Sequence, residues 1–256
     1  MARLTGKVAI VTGSSGGIGR VVATVFAKEG ADVVIHYRSK ESEAKELVKT
    51  INAMGRKALP AKVDFTNVTD AKDEVQRMVD SAVNEFNRID ILVNLAGYPA
   101  RGEWNKKLLE LTPEDFFKPL NVDLFGAFLC SWAVAPHMMH QKKGVIVNVS
   151  STPALAGHDK GLAFTVAKAA IIGLTKALAF ELAPFVRVNT VALGNVDTSW
   201  TLELTSKELS VAQSENLIRR LGSEEEVARA LVFLCSDESS FINGQTIVLD
   251  GGTVLH

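Results

Sequence analysis

The octet Thr12-Gly13-Ser14-Ser15-Gly16-Gly17-Ile18-Gly19 follows the apolar run Val8-Ala9-Ile10-Val11 and opens a helical pattern. This order predicts a strand, a tight turn and a helix in immediate succession. Glycine has no Cβ, so Gly13 suits a left-handed turn, Gly17 close approach of a pyrophosphate, and Gly19 contact between helix and strand. Ser14, Ser15 and Ile18 fall where the positive end of a helix would meet that anion. Three residues separate Gly13 from Gly17 and one separates Gly17 from Gly19, a different turn from G-x-G-x-x-G. Taken alone, an ordinary tight βα turn is the competing reading.

The rest of the chain extends this pattern. Ile18 to Lys28 has apolar residues at helical spacing, and Val33-Val34-Ile35 forms a second buried strand. Further short apolar strands end at Val63-Asp64-Phe65, cover Ile89–Val93 and Val145–Val149, and follow at Arg187–Ala192 and Gln245–Leu249. Helices are predicted over about Ala71–Phe86 and Leu162–Leu182. Strands alternating with helices imply an α/β fold: a doubly wound, Rossmann-type parallel sheet with helices on both faces. At 256 residues and 47% hydrophobic, one domain spanning residues 1–256 is expected, because no linker, low-complexity run or repeat divides the chain.

Thr112 to about His140 reads as one long helix, with Thr112 as N-cap, Pro113 at the first position and acidic residues in the first turn. Pro119 lies inside it, which predicts a kink near Asp115–Pro119. Ser199 to about Arg219 is polar and mixed, as a mobile substrate lid would be.

A net charge of −1 argues against a nucleic-acid partner. No signal-peptide layout is present and no uninterrupted apolar run reaches about 18 residues, so a cytoplasmic protein without a membrane span is expected. Cys130 and Cys235 lie in apolar helical patterns and read as packing residues, and no metal site is expected.

The second strand ends in His36-Tyr37-Arg38-Ser39. A carboxylate there would bind the ribose 2′-hydroxyl of NAD(H), whereas a guanidinium and a hydroxyl suit the 2′-phosphate of NADP(H), so NADP(H) is favoured. Arg38 as a solvated loop cation is the competing reading. Asp64 and Phe65 fall where an adenine would lie, with Asp64 able to accept from its amino group. In Asn94-Leu95-Ala96-Gly97 the small residues allow a ribose close to the backbone.

Together, Thr12–Gly19, Asp64, Asn94-Leu95-Ala96-Gly97 and Asp250-Gly251-Gly252 resemble the short-chain dehydrogenase/reductase family, near its ketoacyl-reductase-like members. The resemblance covers essentially the whole chain. It implies a seven-stranded parallel sheet, a nicotinamide cofactor at the carboxyl edge, a carbonyl or alcohol substrate and often a homotetramer. It also places backbone contacts to the carboxamide around Val196 and a hydroxyl to the phosphates at Thr198. The apolar stretch Ala127–Val134 is a further reason to expect an oligomer.

The family's chemistry falls to Asn, Ser, Tyr and Lys. Ser151 is in place, and Lys168 follows at the family's spacing, where it also holds the nicotinamide ribose. The position of the tyrosine is Phe164, which keeps the ring and has no proton to give. Thr165 points about 100° away on a helix and does not replace it. Counting back from Gly126 and Phe128 puts Asp123 at the asparagine, a negative charge near Lys168. Leu95 and Leu193 stand where a second Asn and a Pro are usual.

Three explanations follow: an introduced change, natural divergence with another acid, or a chain that reduces nothing. Asp123, Leu95 and Leu193 favour divergence. His158, with Asp159 and Lys160 beside it, is the candidate replacement acid, against a plain solvated loop. The leading expectation is an NADP(H)-preferring oxidoreductase with impaired or rerouted proton donation. The alternative is a cofactor-bound scaffold for isomerisation or cyclisation, or a regulatory binding protein.

Overall fold

The computed structural model describes residues 2–99 and 102–255. β1 (Val8–Val11), β2 (Asp32–Tyr37), β3 (Ala58–Lys62), β4 (Ile91–Asn94), β5 (Gly144–Ser151), β6 (Val186–Leu193) and β7 (Thr246–Leu249) form one sheet in the order β3-β2-β1-β4-β5-β6-β7. Every pairing is parallel. The strand order turns back between β1 and β4, the topological switch where such sheets open a ligand crevice at their carboxyl ends. β3 stops at Lys62, so Asp64 and Phe65 lie beyond it and not at its end.

The connecting helices are α1 (Gly17–Lys28), α2 (Glu41–Ala53), α3 (Ala71–Phe86), α4 (Pro113–Pro119), α5 (Gly126–His140), α6 (Pro153–Ala156), α7 (Leu162–Glu181), α8 (Ser206–Ser214) and α9 (Glu224–Cys235). Alternation along the strands divides the core between two faces. On β1, Ala9 and Val11 pack with Val22 and Phe26 of α1 and Leu231 of α9, while Ile10 packs with Val75 and Met78 of α3 and Val134 of α5. Both cysteines are buried and unpaired, and burial pushes their thiols up. This agrees with a packing role.

The long helix of the 112–140 region is broken in a different way from the expected kink. Pro119 ends α4, and Leu120–Phe125 then winds as a π-helical segment, closed by Gly126 N–H donating to the Asn121 carbonyl. Proline has no N–H to give back to the preceding turn, and the extra residue per turn is absorbed just after it. Two helical stretches are more apolar than the reading of uninterrupted apolar runs suggested. The 113–140 stretch and α7 are each long and apolar enough to cross a membrane by length and composition, yet α5 lies on β4 and β5, and α7 on β5 and β6.

Candidate active site

At the end of β1 the glycine-rich turn is held by its own neighbours. Thr12 Oγ1 accepts from Leu95 N and Ala96 N, both at 2.9 Å, which sews the turn to the end of β4. Gly13 has φ +71°, and a Cβ there would stand 3.0 Å from Ala96 Cα. A methyl on Gly19 would overlap the Gly13 carbonyl, whereas one on Gly17 would meet open space. The three glycines thus do separate jobs: turn, anion access and helix seating.

His36 was not singled out in the sequence and is the pin of this turn. Its Nδ1 accepts from Gly13 N at 2.7 Å, its Nε2 donates to the Val63 carbonyl at 3.0 Å, and its own N–H donates to Ser14 Oγ. Ser14 Oγ in turn donates to Val11 O at 2.7 Å. These bonds need a neutral imidazole, and burial holds its pKa down to about 4. Gly13 N–H and Ser14 Oγ are spent inside the turn, so Ser15, Gly17 and Ile18 are the members left to face an anion.

A cleft beside the turn is lined by Gly13, Ser15, Arg38, Ser39, Lys40, Phe65 and Gly97, among others. It gathers residues from the ends of β1, β2, β3 and β4 and carries Arg38 and Lys40 side by side. The Lys40 ammonium reaches to 3.5 Å from where a Cβ on Gly16 would sit. Lys40 was missed because a lysine after a strand looks like any loop cation. Phe65 lies against His36, ring centroids 5.1 Å apart. Two of the expected residues also hold nearby groups. Asp64 Oδ1 accepts from Thr66 N and Thr66 Oγ1, and Asn94 Nδ2 binds Asn148 Oδ1 at 2.8 Å and Ser131 Oγ at 3.2 Å, which pins β4 to β5 and α5.

The other end of the crevice is built on β5, α7 and the π segment. Ser151 ends β5, with Oγ donating to Leu193 O at 3.1 Å. Ser150 Oγ donates to the Lys168 carbonyl, locking α7 onto β5. Lys168 Nζ donates to Val149 O at 3.1 Å and lies 3.1 Å from Asp123 Oδ2. Asp123 Oδ1 accepts from Tyr98 N at 2.6 Å, and Gly97 lies beside both charges. Burial pushes the Asp123 carboxyl above its usual range, and the Lys168 ammonium and the Tyr98 N–H offset this only in part.

Phe164 stands one turn before Lys168, whose Nζ is 5.7 Å from the centroid of its ring. Trp104 meets Phe164 edge-on at 5.5 Å and His158 at 5.3 Å. Gly161 carries no side chain because Trp104 occupies that space. His158 accepts from Lys160 N at Nδ1 and is otherwise an exposed loop residue. Neither Tyr98 nor Trp104 was found from the sequence: Tyr98 acts through its backbone, and Trp104 comes from a loop with no periodic pattern. Val196 and Thr198 lie past β6; Val196 pairs with Gly222 and lines a separate cleft with Arg220 and Glu226, and the Thr198 carbonyl accepts from Thr201.

A doubly wound sheet, a glycine-rich turn at its switch point, and a Ser and Lys gathered at the carboxyl edge define a dinucleotide-binding oxidoreductase fold. The profile of the family described as Enoyl-(Acyl carrier protein) reductase matches residues 13–254. The 3-oxoacyl-(acyl-carrier-protein) reductase FabG of Thermotoga maritima is 41% identical over 256 residues, covering 99% of this chain and all of that protein. The 3-oxoacyl-(acyl-carrier-protein) reductase of Synechocystis is 36% identical over 257 residues, covering all of both chains. A 7α-hydroxysteroid dehydrogenase solved with NADH and 7-oxo glycochenodeoxycholic acid superposes with TM-score 0.89 at 32% identity, covering 100% of this chain and 97% of that one. The chain belongs to the short-chain dehydrogenase/reductase family and is an NAD(P)-dependent oxidoreductase of that type.

Proposed function

We propose that this chain is an NADP(H)-preferring reductase of carbonyl compounds, with 3-oxoacyl thioesters as the first substrate class to try, and that its proton donation is impaired. The observation that carries the proposal is the contrast between a complete cofactor cleft and a proton-donating position occupied by Phe164. The substrate class rests on the 3-oxoacyl reductases among its relatives.

The cleft fits the cofactor by two features: the space above Gly17 that no side chain fills, and the paired cations Arg38 and Lys40 where a 2′-phosphate would lie. Ser15, Gly17 and Ile18 would hold the phosphates, Phe65, Ala96 and Gly97 the adenosine, and Lys168 the nicotinamide ribose. Val196 and Thr198 would complete the carboxamide side. When bound, the cofactor supplies the hydride. Ser151 orients the substrate oxygen, and its hydroxyl is the neutral donor at the end of β5. No phenol stands at position 164 to deliver a proton, and the engagement of His158 with Lys160 N and Trp104 argues against it as a substitute.

Loss of the acid also supports a second reading, a cofactor-bound scaffold that no longer turns over. NADPH consumption across ketones and 3-oxoacyl thioesters separates the two: slow but measurable turnover supports the reductase, and binding without turnover supports the scaffold. A homotetramer in the cytoplasm goes with the reductase reading. Phe128 and Trp132 on α5 are 42% and 47% exposed, an apolar face that a partner copy would cover. Light scattering is expected to give an oligomer, and a monomer mass at micromolar concentration would reject that part.

A further inference from the structure

The Lys168 side chain is 9% exposed and that of Asp123 is fully buried. A buried ammonium without a counter-charge is costly, so the carboxylate at 3.1 Å is what makes this lysine tolerable beneath an apolar ring. The same lysine is the cation nearest the Phe164 ring. A negative oxygen developing at that ring would feel the ammonium and also the carboxylate 3.1 Å from it, whose field opposes that of the ammonium.

The remaining charges around the ring are already matched. Glu103 and Asp115 line the crevice with Tyr98, Trp104 and Phe164. Glu103 binds Lys118 at 2.7 Å, and Asp115 binds Lys106 at 2.6 Å and Lys118 at 2.8 Å. The Tyr98 hydroxyl donates to Glu103. The Asp123–Lys168 pair is the ion pair whose ammonium lies over the Phe164 ring.

We infer that Asp123 is a positioning residue that neutralises Lys168, so that Phe164 and Asp123 form one coupled unit and restoring a phenol at position 164 alone does not restore a good proton donor. The inference rests on the reading of the site as a weakened reductase. It reaches beyond that reading by naming a second residue that must change.

The test is the alkaline absorbance titration of the phenol introduced by Phe164→Tyr, with and without Asp123→Asn. The two native phenols, Tyr37 and Tyr98, are both pushed up by burial and leave the lower range clear. Phe164→Tyr alone is expected to titrate near the ordinary phenol value of about 10. Adding Asp123→Asn removes the carboxylate, favours the phenolate beside Lys168, and lowers the value by about one unit or more, a tenfold change in acid dissociation. Asp123→Glu, which keeps the charge, restores the higher value.

Identical titrations with and without Asp123→Asn would overturn the inference. If Asp123→Asn alone does not fold, Asp123→Asn/Lys168→Met is expected to fold, because no bare ammonium remains; failure of that pair to fold would overturn it as well. The titration needs neither cofactor nor turnover, so it fails or succeeds separately from the reductase reading.

Discussion

The two ends of the crevice obey different rules. At the nucleotide end each strained element has a local partner: Gly13 is seated on Ala96, His36 ties Gly13 to Val63, and Ser14 ties Val11 to β2. At the chemical end the components come from α7, β5, a loop and the π segment that follows Pro119. In the first, a side chain at Gly13 or Gly19 would press on neighbouring backbone. The second carries Phe164 and Asp123 where the family resemblance leads one to expect Tyr and Asn. On the proposed reading, binding geometry held by backbone is separable from proton chemistry held by side chains.

The largest expected effect breaks the nucleotide end. Gly19→Val drives a branched side chain into the Gly13 carbonyl and should cost about 3 kcal/mol of stability together with cofactor binding. Urea denaturation and NADPH titration measure both, and wild-type values in either would show that the turn is softer than described. Next, Arg38→Asp should weaken NADPH relative to NADH by on the order of 2 kcal/mol, roughly thirtyfold, in calorimetric titrations. An unchanged preference would assign Arg38 to solvent.

His36 sharpens the comparison through pH. Its folded pKa of about 4 lies below the ordinary 6.5, so between these values the unfolded chain holds more protons than the folded one. Stability conferred by the neutral imidazole is complete above pH 6.5 and is lost as pH falls towards 4. The loss from pH 7 to 5 should be about 1.5–2 kcal/mol. His36→Gln should flatten that slope in denaturation curves, and an equal slope in both proteins would remove His36 from its role as pin.

The smallest effect lies at the cap of α9, beside the cleft that Val196 lines. Ser223 caps α9, its Oγ accepting from Glu226 N while Glu226 accepts from Ser223 N and from Arg220, which holds the Glu226 carboxyl down to about 2. Ser223→Ala should cost about 1 kcal/mol in thermal denaturation and leave NADPH affinity unchanged. A loss of affinity would couple the cap of α9 to the cofactor cleft.

What the sequence disclosed follows the same division. Strand and helix positions were legible because apolar period sets them, and α3 runs from Ala71 to Phe86 as its pattern predicted. The turn was legible because glycine placement is a local steric matter. The proximity of Asp123 to Lys168 was foreseen from a count along the resemblance, and the structure gives it as an ion pair. The π segment was not legible, because proline signals a break without saying how the chain resumes. His36, Tyr98 and Trp104 were missed because their roles depend on partners 23, 25 and 60 residues away: Gly13, Asp123 and Phe164. Asp64 and Asn94 read as ligand-facing from position alone, and the structure adds what position could not show, the bonds of Asp64 to Thr66 and of Asn94 to Asn148.

The most direct test of an intact cradle joined to an impaired proton donor is NADPH oxidation by the unaltered chain and by Phe164→Tyr/Asp123→Asn, on the same ketones and 3-oxoacyl thioesters at saturating NADPH. A positioned general acid contributes about 10²–10⁴-fold, and the double variant should gain turnover of that order. Equal turnover in the two proteins, with the unaltered chain inactivated by His158→Ala, would contradict the account and place the acid in the 158–160 loop.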